Sequence, residues 1–223
     1  MDTVREAYPM VLSHVILLEA VATLAERDAD LASVVAAFGP PPLWERATGF
    51  PTLIHIILEQ QVSLASARAA FDRLCAAVSP LTPAGFLTLD DATLKAVGFS
   101  RQKTGYGRAL AQAVLEGELD LEALEGVEDG LVREQLTRVK GLGHWSADIY
   151  LLMALGRPDV WPRGDLALAA AAQEVKRLSQ RPTSEDLARL AQGWRPWRSV
   201  AARILWHAYL SSRATPGGRA ERV

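Results

Sequence analysis

Two stretches of this sequence bring together residue types whose spacing could do chemistry. The first is Val139-Lys140-Gly141-Leu142-Gly143-His144-Trp145-Ser146-Ala147-Asp148. A helix is expected to end before Gly141, the chain to turn through both glycines at positive φ, and a second helix to begin near Trp145. The N–H groups opening that helix would then point outward as an anion nest suited to a DNA phosphate. The same residues also suit an ordinary tight connection between helices. Twenty residues after Trp145, Asp165 follows Trp161-Pro162-Arg163-Gly164 and precedes the apolar run Leu166-Ala167-Leu168-Ala169-Ala170. An acid at a helix start can be an N-cap and nothing more. A carboxylate at the mouth of an apolar cleft also supplies what glycosidic-bond cleavage requires, by stabilising an oxocarbenium-like sugar or aligning a water.

The elements that must position these groups are helical. Apolar residues recur at helical spacing almost throughout, and strand alternation is scarce. The pattern predicts a first helix over Leu17, Leu18, Val21, Leu24 and Ala25, then helices over 51–61, 64–78 (capped by Ser63), 90–97, 101–116 and 119–124. It continues with helices over 129–139, 144–154, 165–178, 184–192 and 195–211, and a frayed tail from Ala214. The expectation is an all-α fold of roughly ten helices in two lobes, a single catalytic unit over 1–223. One lobe, about 60–160, holds the hairpin, and the N- and C-terminal helices form the other. The segment 160–164 is the expected crossing.

Composition bounds the partners. The chain has 223 residues, is 49% hydrophobic and 22% charged, and carries a net charge of −2. A DNA-binding protein with that balance must concentrate positive potential locally or use backbone amides. The single cysteine, Cys75, leaves no disulfide framework and no four-cysteine iron–sulfur cluster, and its apolar run predicts a buried thiol. The first residues lack the order of a signal peptide, and the apolar stretch 11–25 is too short and too interrupted to span a bilayer. The expected location is cytoplasmic, with no membrane partner.

Three blocks in this order resemble the helix–hairpin–helix (HhH-GPD) DNA glycosylases, and within them the AlkA-type 3-methyladenine DNA glycosylase II branch. They are Ile57-Leu58-Glu59-Gln60-Gln61-Val62-Ser63, the hairpin with its trailing Pro162-Arg163-Gly164-Asp165, and Trp194-Arg195-Pro196-Trp197-Arg198-Ser199-Val200-Ala201-Ala202. The resemblance covers about 50–208 and implies a two-lobed helical fold with an active-site cleft between the lobes. It implies that the enzyme flips an alkylated base out of double-stranded DNA and hydrolyses its N-glycosidic bond, leaving an abasic site. It gives Asp165 the catalytic carboxylate's place and Gln61 the place of the side chain that fills the gap left by the flipped nucleotide. It also implies a structural monovalent or similar cation on the main-chain carbonyls of Thr137, Val139 and Gly141, with no cofactor for catalysis.

Trp145 occupies the position where strand-cleaving relatives carry a lysine to form a Schiff base. The resemblance therefore implies a monofunctional enzyme without lyase activity. Trp145 and Trp206 would face the base, where an indole attracts a cationic alkylated purine. Ile149 stands where the best-known branch has a tyrosine, which implies a wider pocket, and Trp44 and Phe50 are further pocket candidates. Lys140, Gly141, Gly143, His144 and Ser146 of the hairpin, Arg101 and Lys103 of the helix opened by Ser100, and Arg163 are the candidate DNA contacts. A monomer suffices for one lesion. The competing expectations are a glycosylase for other damaged or mismatched bases and a non-catalytic hairpin module that binds DNA without using Asp165.

Overall fold

Helix starts leave backbone N–H groups without intrahelical partners, and this sequence places side-chain oxygens where those groups emerge. The computed structural model describes residues 9–214, and among the described residues every regular element is helical. In chain order these are α1 (His14–Arg27), α2 (Ala29–Phe38), α3 (Phe50–Glu59), α4 (Leu64–Ala77), α5 (Pro83–Leu87) and α6 (Asp91–Val97). They continue with α7 (Arg101–Leu115), α8 (Asp129–Arg138), α9 (His144–Met153), α10 (Leu166–Val175), α11 (Ser184–Leu190) and α12 (Arg198–Ala214). Ser13, Asp28, Ser63, Thr82, Asp90, Ser100, Glu128, Asp165 and Thr183 each accept a hydrogen bond from the first turn of the helix that follows. α3 and α9 differ: they start at Gly49 and Gly143, with no side-chain cap.

The expected all-α fold is therefore present, with local differences. The helix expected over 119–124 is a single 3₁₀ turn at Ala123–Gly126. Asp120 takes the N–H groups of Glu122 and Ala123, a local bond that competes with helix formation. α12 begins at Arg198 and not at 195, because Pro196 forces extended backbone on Arg195. α2 and α5 lie where no helix was expected; Asp28 serves as both the C-cap of α1 and the N-cap of α2. Cys75 is half-buried and not fully buried. The first eight residues, and the tail from 215 onward, lie outside the described residues.

The chain divides into two compact units. The first, Arg46–Leu155, contains α3 to α9. In it α3 packs against α4, α7 and α9, and α8 pairs with α9. Leu53, Ile54, Ile56, Ile57, Leu110, Leu136 and Leu151 are fully buried, each contributing about 1.5–3 kcal/mol of transfer free energy. The second unit joins Met10–Glu45 to the chain from Gly156 onward, with α12 packed against α10, α2 and α1. There Asp28 accepts from the Lys176 ammonium (2.5 Å) and the Trp194 indole (2.8 Å). Burial pushes the Asp28 carboxyl up, but those bonds and the Leu31 N–H outweigh it and hold the carboxyl below its ordinary value. The chain passes between the units at Leu155 and Gly156, ahead of the expected segment 160–164. Val160 and Trp161 of that segment are buried, and the Trp161 ring lies 5.5 Å from that of Trp194.

Candidate active site

The hairpin of the first unit is held from both sides. α8 ends at Arg138, Val139 is its C-cap, and Leu142 N–H returns to the Val139 carbonyl (3.1 Å) before α9 starts. Gly141 has φ +98°, and a Cβ there would stand 2.1 Å from Cγ of Tyr106. Only glycine fits that close approach of α7 to the turn. Gly143 departs from the expectation of positive φ. It has φ −90° and ψ −179°, which any residue can adopt, and a Cβ would meet nothing within 4 Å. Its role is that of an open N-cap without a side chain across the first-turn amides, a geometry that receives an anion.

Below the turn, Asp148 on α9 is buried and accepts from Arg133 Nε on α8 at 2.6 Å. This ion pair fixes the two hairpin helices against each other. Gln60, at the end of α3, donates through Nε2 to the Gly141 carbonyl (2.8 Å) and the Ser146 hydroxyl (3.0 Å). Gln61 follows, exposed and with φ +57°, a left-handed conformation that costs a non-glycine residue about 1–2 kcal/mol. Such an outlier on an exposed turn is a reason to suspect function.

The second unit supplies the carboxylate. Asp165 is the N-cap of α10, half-buried, with Oδ1 accepting from Leu168 N–H (2.8 Å) and from the Trp206 indole (3.2 Å). It is thus both the cap and an oriented acceptor. Gly164 before it has φ +78° and an open Cβ position. Trp206 lies on α12, eight per cent exposed. Its neighbour His207 bonds the Phe38 carbonyl through Nε2 (3.0 Å), and the Trp44 ring lies 6.3 Å from the His207 ring. Trp44 has φ +48°, and the Leu43 carbonyl before it accepts from Arg203 (2.8 Å). Burial pushes the Arg203 guanidinium down to about 10.

The structure therefore gathers the candidates into two groups. Lys140, Gly141, Gly143, His144, Trp145 and Gln61 surround the hairpin, with Lys140, His144 and Gln61 exposed and Trp145 half-buried. Asp165, Trp206, Trp44 and the exposed Arg163 belong to the other unit. Three candidates are placed differently from the expectation. Phe50 is four per cent exposed, with its ring against Phe86 in the core of its unit, because it faces inward at the first turn of α3. The Ser146 side chain is buried and engaged with Gln60. Lys103 caps the last turn of α3 through the Leu58 carbonyl (2.7 Å), and burial pushes its ammonium down. Arg101 is exposed at the start of α7, where the Ser100 hydroxyl caps the first turn through the Lys103 N–H. Ile149 is buried on α9, one turn beyond Trp145.

Gln60, Tyr106, Arg133 and Asp148 position the hairpin without having been singled out by sequence. A charged residue inside the apolar helix 144–154 was the available signal for Asp148. For a cation at the hairpin, the donors fit. Thr137 lies in the last turn of α8, where the helix dipole favours positive charge. Val139 and Gly141 carbonyls each accept one hydrogen bond and keep a second lone pair. Among the described residues no three His, Cys, Asp or Glu side chains gather to hold a metal, and no helix is long and apolar enough to cross a membrane.

The chain is similar in sequence and fold to known proteins. An alkylbase DNA glycosidase-like protein of Schizosaccharomyces pombe is 28% identical over 82% of this chain and 89% of its own. A 3-methyladenine DNA glycosylase of the same yeast, solved in complex with abasic DNA, superposes with a TM-score of 0.76 at 27% identity, over 85% of this chain and 94% of that one. A DNA-3-methyladenine glycosidase of Bacillus halodurans gives 0.70 at 30% identity, over 85% and 88%. Residues 54–196 match the family model itself, and they contain the Gln60–Gln61 turn, the hairpin and Asp165. The chain belongs to the HhH-GPD superfamily of base excision DNA repair proteins.

Proposed function

We propose that this chain is a monofunctional DNA glycosylase that removes alkylated bases of the 3-methyladenine type from double-stranded DNA. The observation that carries the reading is Asp165, held by two donors at the head of α10. Its negative charge faces the sugar as the C1′–N bond breaks and the bonding electrons leave with the base. The developing oxocarbenium charge is stabilised by the carboxylate, and a water aligned by it adds to C1′ and gives up one proton through the carboxylate to solvent. The products are a free base and an abasic site. Alkylation has already made the purine cationic, so the base departs neutral without a dedicated acid.

Trp145 brings no amine to attack the sugar, so no Schiff base forms and the strand stays intact. Its indole offers a face to a cationic base, a contact worth about 0.5–2 kcal/mol, and in the other unit the Trp206 indole N–H orients Asp165. The open start of α9 takes a DNA phosphate, Lys140, His144, Arg101 and Arg163 add backbone contacts, and Gln61 fills the gap left by the flipped nucleotide. A cation on the Thr137, Val139 and Gly141 carbonyls would brace the hairpin and add positive potential under that phosphate. Carboxylate and hairpin come from one chain, so a monomer carries both.

The test is incubation with duplex DNA treated with a methylating agent. Free methylated purine should appear, and strands should break only after hot alkali. No released base, or breakage without alkali, would refute the reading.

A further inference from the structure

Gln60 and Gln61 are neighbours with opposite surroundings. Gln60 is half-buried with φ −60°, and its side chain reaches into the hairpin. Gln61 is exposed and held at φ +57°. The turn they form is fixed on both sides. The Lys103 ammonium on Leu58 closes the end of α3, and the Ser63 hydroxyl on Ser66 N–H opens α4. A strained residue persists only when its surroundings over-determine it.

The Gln60 amide uses both hydrogens of one nitrogen. One goes to the Gly141 carbonyl in the turn, the other to the Ser146 hydroxyl in the first turn of α9. These acceptors stand on either side of Gly143, the open cap where a phosphate would sit. A side chain one residue from Gln61 thus clasps both edges of the phosphate-binding turn. Only a donor can do this, since a main-chain carbonyl oxygen offers nothing to a carboxylate.

We infer that Gln60 is a positioning residue that couples the backbone grip of the hairpin to the gap-filling side chain of Gln61. It rests on the glycosylase reading above. Docking a phosphate at α9 orders Gly141 and Ser146, and through the Gln60 amide this sets the Gln61 turn against the duplex. The wedge is then in place only where the backbone is held. Removing the amide hydrogens leaves both halves present and unlinked.

The experiment is single-turnover base release from duplexes carrying one 7-methylguanine, opposite either cytosine or an abasic-site analogue. Gap filling matters most when the flipped base leaves a paired, stacked position, and least when nothing stood opposite it. Gln60→Glu keeps shape and loses the donor, and Gln60→Met does so without charge. Each should slow release opposite cytosine by about 10- to 100-fold, the equivalent of one to two lost hydrogen bonds. Opposite the abasic analogue the loss should stay within about threefold. Gln61→Ala should show the same opposite-base dependence, and the Gln60→Met, Gln61→Ala double variant should be no slower than the worse single. Equal slowing on both duplexes, losses that multiply, or Gln60 variants that match the wild type overturn the coupling while the glycosylase reading stands. A wild type that releases no base from either duplex overturns both.

Discussion

Two helix starts in this molecule solve the same electrostatic problem in opposite ways. α10 begins at Asp165, which carries its own anion and places it on Leu168 N–H. α9 begins at Gly143, which carries no side chain and leaves the first turn uncapped. Both sit after a glycine with positive φ, Gly164 at +78° and Gly141 at +98°. An N-terminus that supplies an anion can do chemistry with it; one that lacks an anion can receive a phosphate. The comparison teaches that the missing cap on α9 is as informative as the cap on α10.

The comparison can be broken at the turns. Gly141→Ala should have the largest effect, because it meets both positive φ and the Tyr106 ring. A loss of about 3 kcal/mol or more is expected in chemical denaturation, with loss of duplex binding. Gly164→Ala has positive φ without a neighbour within 4 Å and should cost only about 1 kcal/mol. Arg133→Ala leaves Asp148 buried without its guanidinium and should cost about 2–3 kcal/mol, discounted for the partial exposure of Arg133.

Gly143→Asp sharpens the contrast by turning α9 into a copy of α10. The backbone there already suits a cap, so stability should rise by about 0.5 kcal/mol. Duplex affinity should fall about tenfold in low salt, because the new carboxylate occupies and repels the phosphate position. A variant that gains stability and keeps its affinity would show that the phosphate binds elsewhere.

The smallest effect is a titration. His55, stacked on Phe71, is pushed below 6.5 by burial, with the Glu59 carboxylate opposing and Arg46 assisting. The unfolded chain takes up the proton first as pH falls. The stability owed to neutral His55 is therefore complete above 6.5 and is lost as pH drops below it toward the lower folded value. The melting temperature should fall a few degrees between about pH 7 and pH 5.5, and less in His55→Phe.

Sequence made the starts and stops of most helices legible, because Ser63, Ser100 and Asp165 are local signals that act on their own turns. Asp165 as a helix start and Gly141 as a positive-φ turn were legible for the same reason. What escaped was non-local. Phe50 has a residue type suited to a base pocket and Lys103 one suited to a DNA surface, but Phe86 and the Leu58 carbonyl, far along the chain, draw them inward. Gln60 carried no signal of its own, and its partners lie more than eighty residues away. Gly143 shows the limit of a motif. Glycine there means an open cap, not the positive φ that its neighbour Gly141 requires.

The most direct measurement of the division between the two helix starts is Asp165→Asn against wild type, in melting temperature, duplex affinity and single-turnover base release. Asparagine caps a helix as well as aspartate but brings no charge. Melting temperature and affinity should stay near wild type while release falls on the order of 10²- to 10³-fold. Release within about threefold of wild type would mean that Asp165 is a cap only and that the chemistry lies elsewhere.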